Sequence, residues 1–203
     1  VIYVGLSSRL SATMQNAELA AKQVNNDQLQ LIDSLNLSTG IGLLALKAAD
    51  LRDEGKSQEE IVQAINAMRK AVKTAFVIDT MDYLYKGGRC TALQAIFGSM
   101  LKIRPVIHVR NDGTLGVLDK VRGSRKKALD SLLNNFERDL PNVDLTRVFV
   151  THSGCDEDAA YLVENLKKLA PVKEVLTTLA GATIASHCGP NTIGCLLYTS
   201  PSP

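Results

Sequence analysis

Along residues 1–75, apolar residues come as short continuous runs alternating with helical repeats. The run Val1-Ile2-Tyr3-Val4 has the character of a buried parallel strand. A helix is expected from about Ser11 to Val24, with Ser11 as its cap. Leu29 to Asp33 reads as a second strand. Ser38, Thr39 and Gly40 introduce a helix that continues to about Glu54 and ends at Gly55. Ser57 and Glu60 have capping-box spacing, and Ile61, Ile65, Met68 and Val72 mark the buried stripe that follows. Strand, helix, strand, helix, helix predicts a parallel sheet with helical cover.

The pattern changes near residues 73–76. Thr74 to Ile78 is a predicted strand, after which Asp79 or Thr80 caps a short helix broken by Gly87-Gly88. Thr91 to Met100 reads as helical, and Ile103 to Val109 as a strand in which Pro105 argues for an edge or a bulge. Asn111-Asp112-Gly113 is a turn signal, so Thr114 to Val121 returns as a hairpin partner. Ser124 opens a helix with Leu129, Leu132, Leu133 and Phe136 inward. Arg147 to Thr151 is a strand, and Asp156 caps a helix carrying Leu162, Val163, Leu166 and Leu169. Val172 to Thr178 and Ala182 to His187 read as further strands.

The expected organisation is therefore a partial α/β domain over residues 1–75 and a hairpin-rich α+β domain over 76–198. The stretch Tyr198-Thr199-Ser200-Pro201-Ser202-Pro203 looks unable to continue a strand or helix, so residues 199–203 are expected to be a disordered or non-native tail. The chain opens inside a strand, which reads as a missing N-terminal portion.

Composition narrows the function classes. Hydrophobic residues are 45% and charged residues 22% of the 203, ordinary values for a globular protein with a usable core. A net charge of +2 gives no global field that would announce nucleic acid or membrane. With no Trp and 4% aromatic residues, stacking platforms for single strands are not expected. No apolar run approaches a membrane span. Cys90, Cys155, Cys188 and Cys195 are scattered without a CxxC, which suits reduced thiols in the cytoplasm rather than disulfides or zinc.

Four clusters carry candidate chemistry. "GLSSRLSATMQNAELA", residues 5–20, brings hydroxyls and backbone N–H groups to a helix N-terminus, an arrangement that suits an anion. It has neither a P-loop lysine nor Gly-x-Gly-x-x-Gly, so a single carboxylate fits better than a nucleotide; plain helix capping by Ser11 is the alternative. "IASHCGPNTIG", residues 184–194, puts His187 at the end of an element before a Gly-Pro break, either as a donor to an anion or as a satisfied structural histidine. "YKGGRCT", residues 85–91, presents Arg89 on a glycine loop, for a carboxylate or phosphate or merely for solvent. "KVRGSRKKAL", residues 120–129, sets Arg125, Lys126 and Lys127 in a first helical turn, against the helix dipole, as a docking face or a solvated one. His108 and His152 lack metal-ligand spacing, and His152, at a strand end like His187, is placed to line the same cleft.

In order, these clusters resemble the DegV family. The serine-rich stretch is similar to that family's Leu-Ser-Ser … Leu-Ser-Gly-Thr signature, and "VIDTMDYLYKGGR" to its Asp-Thr … Gly-Gly-Arg block. "LKIRPVIHVRNDG", "KVRGSRKKAL", "VTHSG" and "SHCGPNTIG" follow in the expected order, so the resemblance covers nearly all of residues 1–198. It implies an α/β, two-domain DegV-like fold: a parallel-sheet α/β/α domain, partial here, followed by an α+β domain with a mixed sheet. It implies a non-enzymatic, cytoplasmic protein that holds a long-chain fatty acid between its domains and presents the carboxylate to a fatty-acid kinase, with no catalytic residue, metal or cofactor of its own. Ser7, Ser8, His187 and Gly189 then fall at the ligand, and Arg89, Arg122, Arg125 and Lys126 toward the kinase or phosphate. Candidate lining residues are Leu6, Ile96, Phe97, Met100, Leu101, Ile103 and Ile184. Ala12 and Asn191 stand where the family usually has Gly, and the family's N-terminal segment with its Thr-Ser motif is absent from this sequence. A long acyl chain needs few polar contacts, because each buried CH₂ contributes about 0.8 kcal/mol. The alternatives are a small hydrolase using Ser7 or Ser8 with His187, and a phosphate-ligand regulatory module using Arg89 and residues 122–127.

Overall fold

The computed structural model describes residues 1–24, 28–89, 93 and 103–199. The predicted helix over Thr91–Met100 and the lining candidates Ile96, Phe97, Met100 and Leu101 lie outside the described residues, as do Cys90 and residues 200–203.

The chain opens with strand β1 (Ile2–Gly5), helix α1 (Thr13–Val24) and strand β2 (Gln30–Asp33). β1 and β2 pair in parallel, so α1 is the crossover that a parallel pair requires. The Ser11 hydroxyl accepts from the Thr13 N–H at 3.2 Å and so does begin α1. Helices α2 (Thr39–Asp53) and α3 (Gln58–Met68) follow. The capping box forms as the spacing predicts: Ser57 accepts from the Glu60 N–H while Glu60 accepts from the Ser57 N–H. Gly55 takes φ +81° after α2, a conformation open to glycine.

The remaining elements build one six-stranded mixed sheet in the order β5-β4-β3-β8-β6-β7. Its strands are β3 (Val72–Val77), β4 (Ile103–Val109), β5 (Leu115–Arg122), β6 (Val143–His152), β7 (Glu174–Leu179) and β8 (Ile193–Thr199). Between them lie α4 (Asp82–Lys86), α5 (Arg125–Asp139), α6 (Asp156–Leu169) and α7 (Ala182–Cys188). All neighbours are antiparallel except β6 and β7.

Strand alternation divides the core between the two faces. Val77, Val150, Ile193, Cys195 and Leu197 pack under α5 and α6, where Leu129, Leu132, Phe136, Leu162 and Leu166 point inward. On the other face, Phe149 and Leu196 meet Ile32, Leu44, Ile61 and Ile65. Phe76 and Ile107 on that same face meet Leu37, Leu84 and Cys188.

Three expectations are corrected, and that of an edge or a bulge at Pro105 is met by the bulge. Ala182–Cys188 is a helix, not a strand. Ile184 and Cys188 stand one helical turn apart on one apolar cluster, and Gly189 at φ +84° ends the helix. Tyr198 and Thr199 do continue a strand: β8 pairs with β3 and β6, and the Thr199 hydroxyl donates to the Ala71 carbonyl. β4 is internal, although a bulge does interrupt its pairing with β5 between Val106 and Ile107. Pro105 is tolerated because β3 pairs only with Val106–His108, so the missing donor lies beyond that ladder. Asp156 begins α6 but does not cap it: Cys155 precedes the helix, and its N–H goes to His152 Nδ1 at 3.3 Å.

Candidate functional site

An apolar pocket of about 510 Å³, counted to its open mouth, lies between the serine-rich loop, β3, α4 and α7. Leu6 and Leu10 come from the loop, Leu37 from the turn before α2, Phe76 from β3, Leu84 from α4 and Ile184 from α7. A second apolar hollow of about 350 Å³ shares Leu37, Phe76, Ile184 and Cys188 with it and reaches Thr151, His152 and Leu196. Together they are lined as ligand sites are, by aliphatic side chains with few polar groups. Leu6 and Ile184 lie in this wall as expected, and His152 lines the adjoining hollow. Ile103 is buried in β4 and is not part of it.

Ser11, Thr183, His187 and Arg89 supply the pocket's polar groups. His187 sits in the last turn of α7. Its Nδ1 is buried with no hydrogen-bond partner among the described residues. A buried, unpaired ring nitrogen is costly and marks a group with a further role. The imidazole lies against the backbone of Gly87, where any Cβ would strike Nδ1. Glycine at 87 thus makes room for the histidine, a reason for the Gly-Gly pair that loop flexibility alone does not give. Gly88 takes φ +71°.

Arg89 is not confined to an outer surface. Its Nε donates to the Leu10 carbonyl at 3.0 Å and its Nη1 donates to the Gly87 carbonyl, drawing the serine-rich loop toward the glycine loop at the pocket rim. Arg89 and His187 therefore share one pocket.

The serine-rich loop is largely self-satisfied. Ser7 is fully buried; its hydroxyl donates to the Gly113 carbonyl at 2.8 Å and accepts from the Arg9 N–H, and its own N–H donates to Asn36. The N–H groups of Leu10 and Ser11 both go to the Ser7 carbonyl, and that of Ser8 to the Asp33 carboxylate at 3.3 Å. The backbone donors expected to cradle an anion are thus engaged. Ser8 is exposed and does not line the pocket, whereas Ser11 both caps α1 and lines it. No Ser–His hydrogen bond joins Ser7 or Ser8 to His187 among the described residues, which removes the basis for a Ser/His hydrolase.

Gly189 ends α7 and lies against the Tyr83 ring, which any Cβ would overlap. Its carbonyl accepts from the Ser153 hydroxyl at 2.6 Å, so its role is to fix the turn beside Cys188. Asn191 adopts φ +56°, a left-handed conformation that Asn tolerates better than most residues. Ala12 is not among the positive-φ residues, so its Cβ is accommodated.

The basic cluster divides. Arg125 donates Nη1 to Asp79 at 2.7 Å, Nε to Asp158 at 2.5 Å and Nη2 to the Asn191 carbonyl at 2.6 Å. Burial opposes its charge, but the Asp158 hydrogen bond and the charges of Asp158 and Asp79 outweigh that and raise its pKa. It is a structural tie, not a free docking cation. Lys126 is exposed, 3.0 Å from the Tyr161 hydroxyl and above that ring, with Asp130 at 3.4 Å. Arg122 is exposed at the end of β5. Asp79 pairs with Arg104 and Arg125, leaving Thr80 to accept from the Asp82 N–H ahead of α4.

Cys188 and Cys195 are free thiols whose pKa burial pushes up to about 11 and about 12, and burial also raises that of Cys155. Unreactive thiols of this kind do not suit a nucleophile. Among the described residues no group of three or more His, Cys, Asp or Glu could hold a metal ion, and no helix is long and apolar enough to cross a membrane.

Fold and pocket together define a mixed α/β protein with an apolar site bordered by a histidine and an arginine. The family model described as "Uncharacterised protein, DegV family" matches residues 1–200, and this chain belongs to the DegV family. It is 34% identical over 196 residues to a protein of Thermotoga maritima named "Fatty acid-binding protein", covering 96% of this chain and 67% of that one. A fatty-acid-binding DegV family protein from Thermus thermophilus superposes with a TM-score of 0.90 at 31% identity, over 98% of this chain and 70% of that one. The Fatty Acid Kinase B3 protein of Streptococcus pneumoniae, solved loaded with linoleic acid, superposes at 0.86 with 25% identity, over 98% and 71%. Leu10, Leu37, Phe76 and Leu84 are pocket residues that sequence reasoning missed; only the alternation of β3 pointed to one of them, Phe76.

Proposed function

We propose that this protein binds a long-chain fatty acid, without catalysing a reaction itself, and presents its carboxylate to a kinase partner. The observation that carries the reading is the Leu6–Ile184 pocket, apolar along its length and ended by His187 with an unpaired buried Nδ1. The fatty-acid-binding relatives in Thermotoga and Thermus and the linoleate-loaded Streptococcus protein support it. Burial of roughly 0.8 kcal/mol per CH₂ makes an aliphatic wall with few donors sufficient for such a ligand. The acyl chain lies between the unit of residues 1–75 and the six-stranded sheet that follows, along Leu37, Phe76 and Ile184. The carboxylate meets His187 and Ser11, with Arg89 at the rim. Arg122 and Lys126 are the exposed cations available to a kinase.

The test is denaturing extraction of the folded protein after expression in bacteria, followed by mass spectrometry. Long-chain fatty acid in near-stoichiometric amount is the expected result. A folded protein that yields none, and that takes up none when incubated with oleate or palmitate, overturns the reading.

A further inference from the structure

A larger cleft lies on the opposite face of the six-stranded sheet, at the C-terminal end of α5. It spans about 1290 Å³, open solvent at its mouth included. Neighbouring strand residues divide between the two sites: Phe76 lines the lipid-type pocket while Ala75 lines the cleft. Likewise Ile107 joins the Phe76 cluster while His108 lines the cleft. One wall is apolar, built from Ala75, Leu132, Phe136, Cys195 and Leu197.

The rim is cationic. Lys73 on β3, His108 on β4 and Arg110 in the following turn all line the cleft. No hydrogen bond or ion pair to another described residue engages their side chains. Two acids, Asp112 and Asp139, stand beside them. The Asp112 carboxylate accepts from the Thr114 N–H at 3.0 Å and its hydroxyl at 2.6 Å, and Asp139 lies 3.7 Å from Arg138 Nε. Gly116 shows that two of these basic groups converge: a Cβ there would come within 2.5 Å of Arg110 Nε and 2.9 Å of His108 Nε2. Burial, and then the charges of Arg110 and Lys73, lower the pKa of His108. Asp112 lies close enough for its carboxylate to feel the Arg110 charge, while the side-chain nitrogens of Lys73, His108 and Arg110 keep their hydrogen-bonding capacity for an incoming acceptor.

We infer that this cleft is a second ligand site, for a phosphate monoester carrying an apolar group. Lys73, His108 and Arg110 take the phosphate, and the wall from Leu132 to Phe136 takes the apolar part. A phosphate, with three acceptor oxygens, matches this set better than a single carboxylate, because Arg110 and His108 converge beside Gly116 and Lys73 lines the same cleft. The inference does not rest on the fatty-acid reading, since Lys73, His108 and Arg110 line the cleft and neither part of the other pocket.

The experiment follows the imidazole signals of His108 and His187 by NMR while phenyl phosphate is added to the full chain loaded with oleate. The His108 signal is expected to move saturably at or below about 1 mM ligand, with its pKa rising, and His187 to stay put. Arg110→Gln and Lys73→Gln should each weaken binding at least about fivefold, as expected for loss of a charge-assisted contact. Gly116→Ala, which pushes Arg110 and His108 aside, should weaken it similarly. No saturable movement of His108 up to about 10 mM, or unchanged affinity in Arg110→Gln, overturns the site. Inorganic phosphate binding as tightly as phenyl phosphate overturns the apolar part of the assignment, and octanoate binding more tightly overturns the phosphate.

Discussion

The Ser7 hydroxyl reaches across 106 residues to donate to the carbonyl of Gly113. The contact is so close that a Cβ at residue 113 would strike the hydroxyl oxygen, and Gly113 itself holds φ +83°. The serine-rich loop is thereby tied to the turn between β4 and β5, and the pocket wall depends on that tie as much as on its own apolar side chains.

Ser7→Ala should therefore lower stability by about 1–3 kcal/mol, since it leaves a buried carbonyl without its donor. Ser8→Ala, on an exposed side chain, should stay within about 0.5 kcal/mol of the parent. Urea denaturation of the two variants separates them. Equal stabilities would mean that the Ser7 bond contributes nothing to the fold.

At the other end of the pocket, His187→Ala and Ser11→Ala should weaken retention of a fluorescent fatty acid. Each removes a hydrogen bond to a charged head group, worth about 1.5–3 kcal/mol, while the acyl chain sustains partial binding. Gly87→Ala should do the same without touching the ligand, because its methyl displaces the His187 ring. Retention unchanged in both His187→Ala and Gly87→Ala would remove the histidine from the site.

Arg89 and Arg122 should behave differently. Arg89→Ala is expected to lower both fatty-acid retention and phosphorylation by a fatty-acid kinase, because Arg89 lines the pocket and holds the Leu10 carbonyl. Arg122→Ala should leave retention intact yet slow phosphorylation, and salt should slow it further by screening the remaining exposed contacts. Loss of lipid in Arg122→Ala would place that residue in the wrong role.

Arg125→Ala should cost about 1–3 kcal/mol, because it leaves the Asp79 and Asp158 carboxylates and the Asn191 carbonyl without a shared donor. Lys126→Ala, on an exposed side chain, should leave the melting point close to that of the parent. Thermal unfolding distinguishes the two, and similar melting points would argue against the Arg125 tie.

Arg147 grips Asp50 with two nitrogens, Nη1 at 2.5 Å and Nη2 at 3.1 Å, while its Nε donates to Glu174 at 2.9 Å. Hydrogen bonding to Arg147 holds the Asp50 carboxyl below the usual carboxylate range. A depressed folded-state pKa gives stability that is complete above the unfolded value, about 3.9, and is lost as pH falls through the folded one. Arg147→Gln should thus lower stability at neutral pH by about 1–2 kcal/mol, with the difference shrinking on acidification below about pH 4. A difference that stayed constant down to pH 2 would exclude this carboxylate as its origin.

Where a signal is local, the sequence by itself determined the outcome. The Ser57–Glu60 capping box, the turn at Asn111-Asp112-Gly113 and the inward stripe from Leu129 to Phe136 depend on residues within a turn or two of one another, and all form as their spacing dictates. The order of signature blocks likewise sufficed to identify the family. The tertiary structure decided what depends on distant partners. Ala182–Cys188 carries β-branched residues that suit a strand, yet packing of Ile184 and Cys188 on Phe76 and Leu84 makes it a helix. β8 is a central strand only because β3 and β6 flank it, and nothing within Ile193–Thr199 names those neighbours. The site divides in the same way. His187 and Arg89 were legible as chemistry, but only long-range packing set them in one pocket, turned Ser11 rather than Ser7 toward it, and withdrew Arg125 into a network of acids. A buried hydroxyl or guanidinium goes to whatever partner the fold brings within hydrogen-bond reach, and for Ser7 that partner lies 106 residues away along the chain.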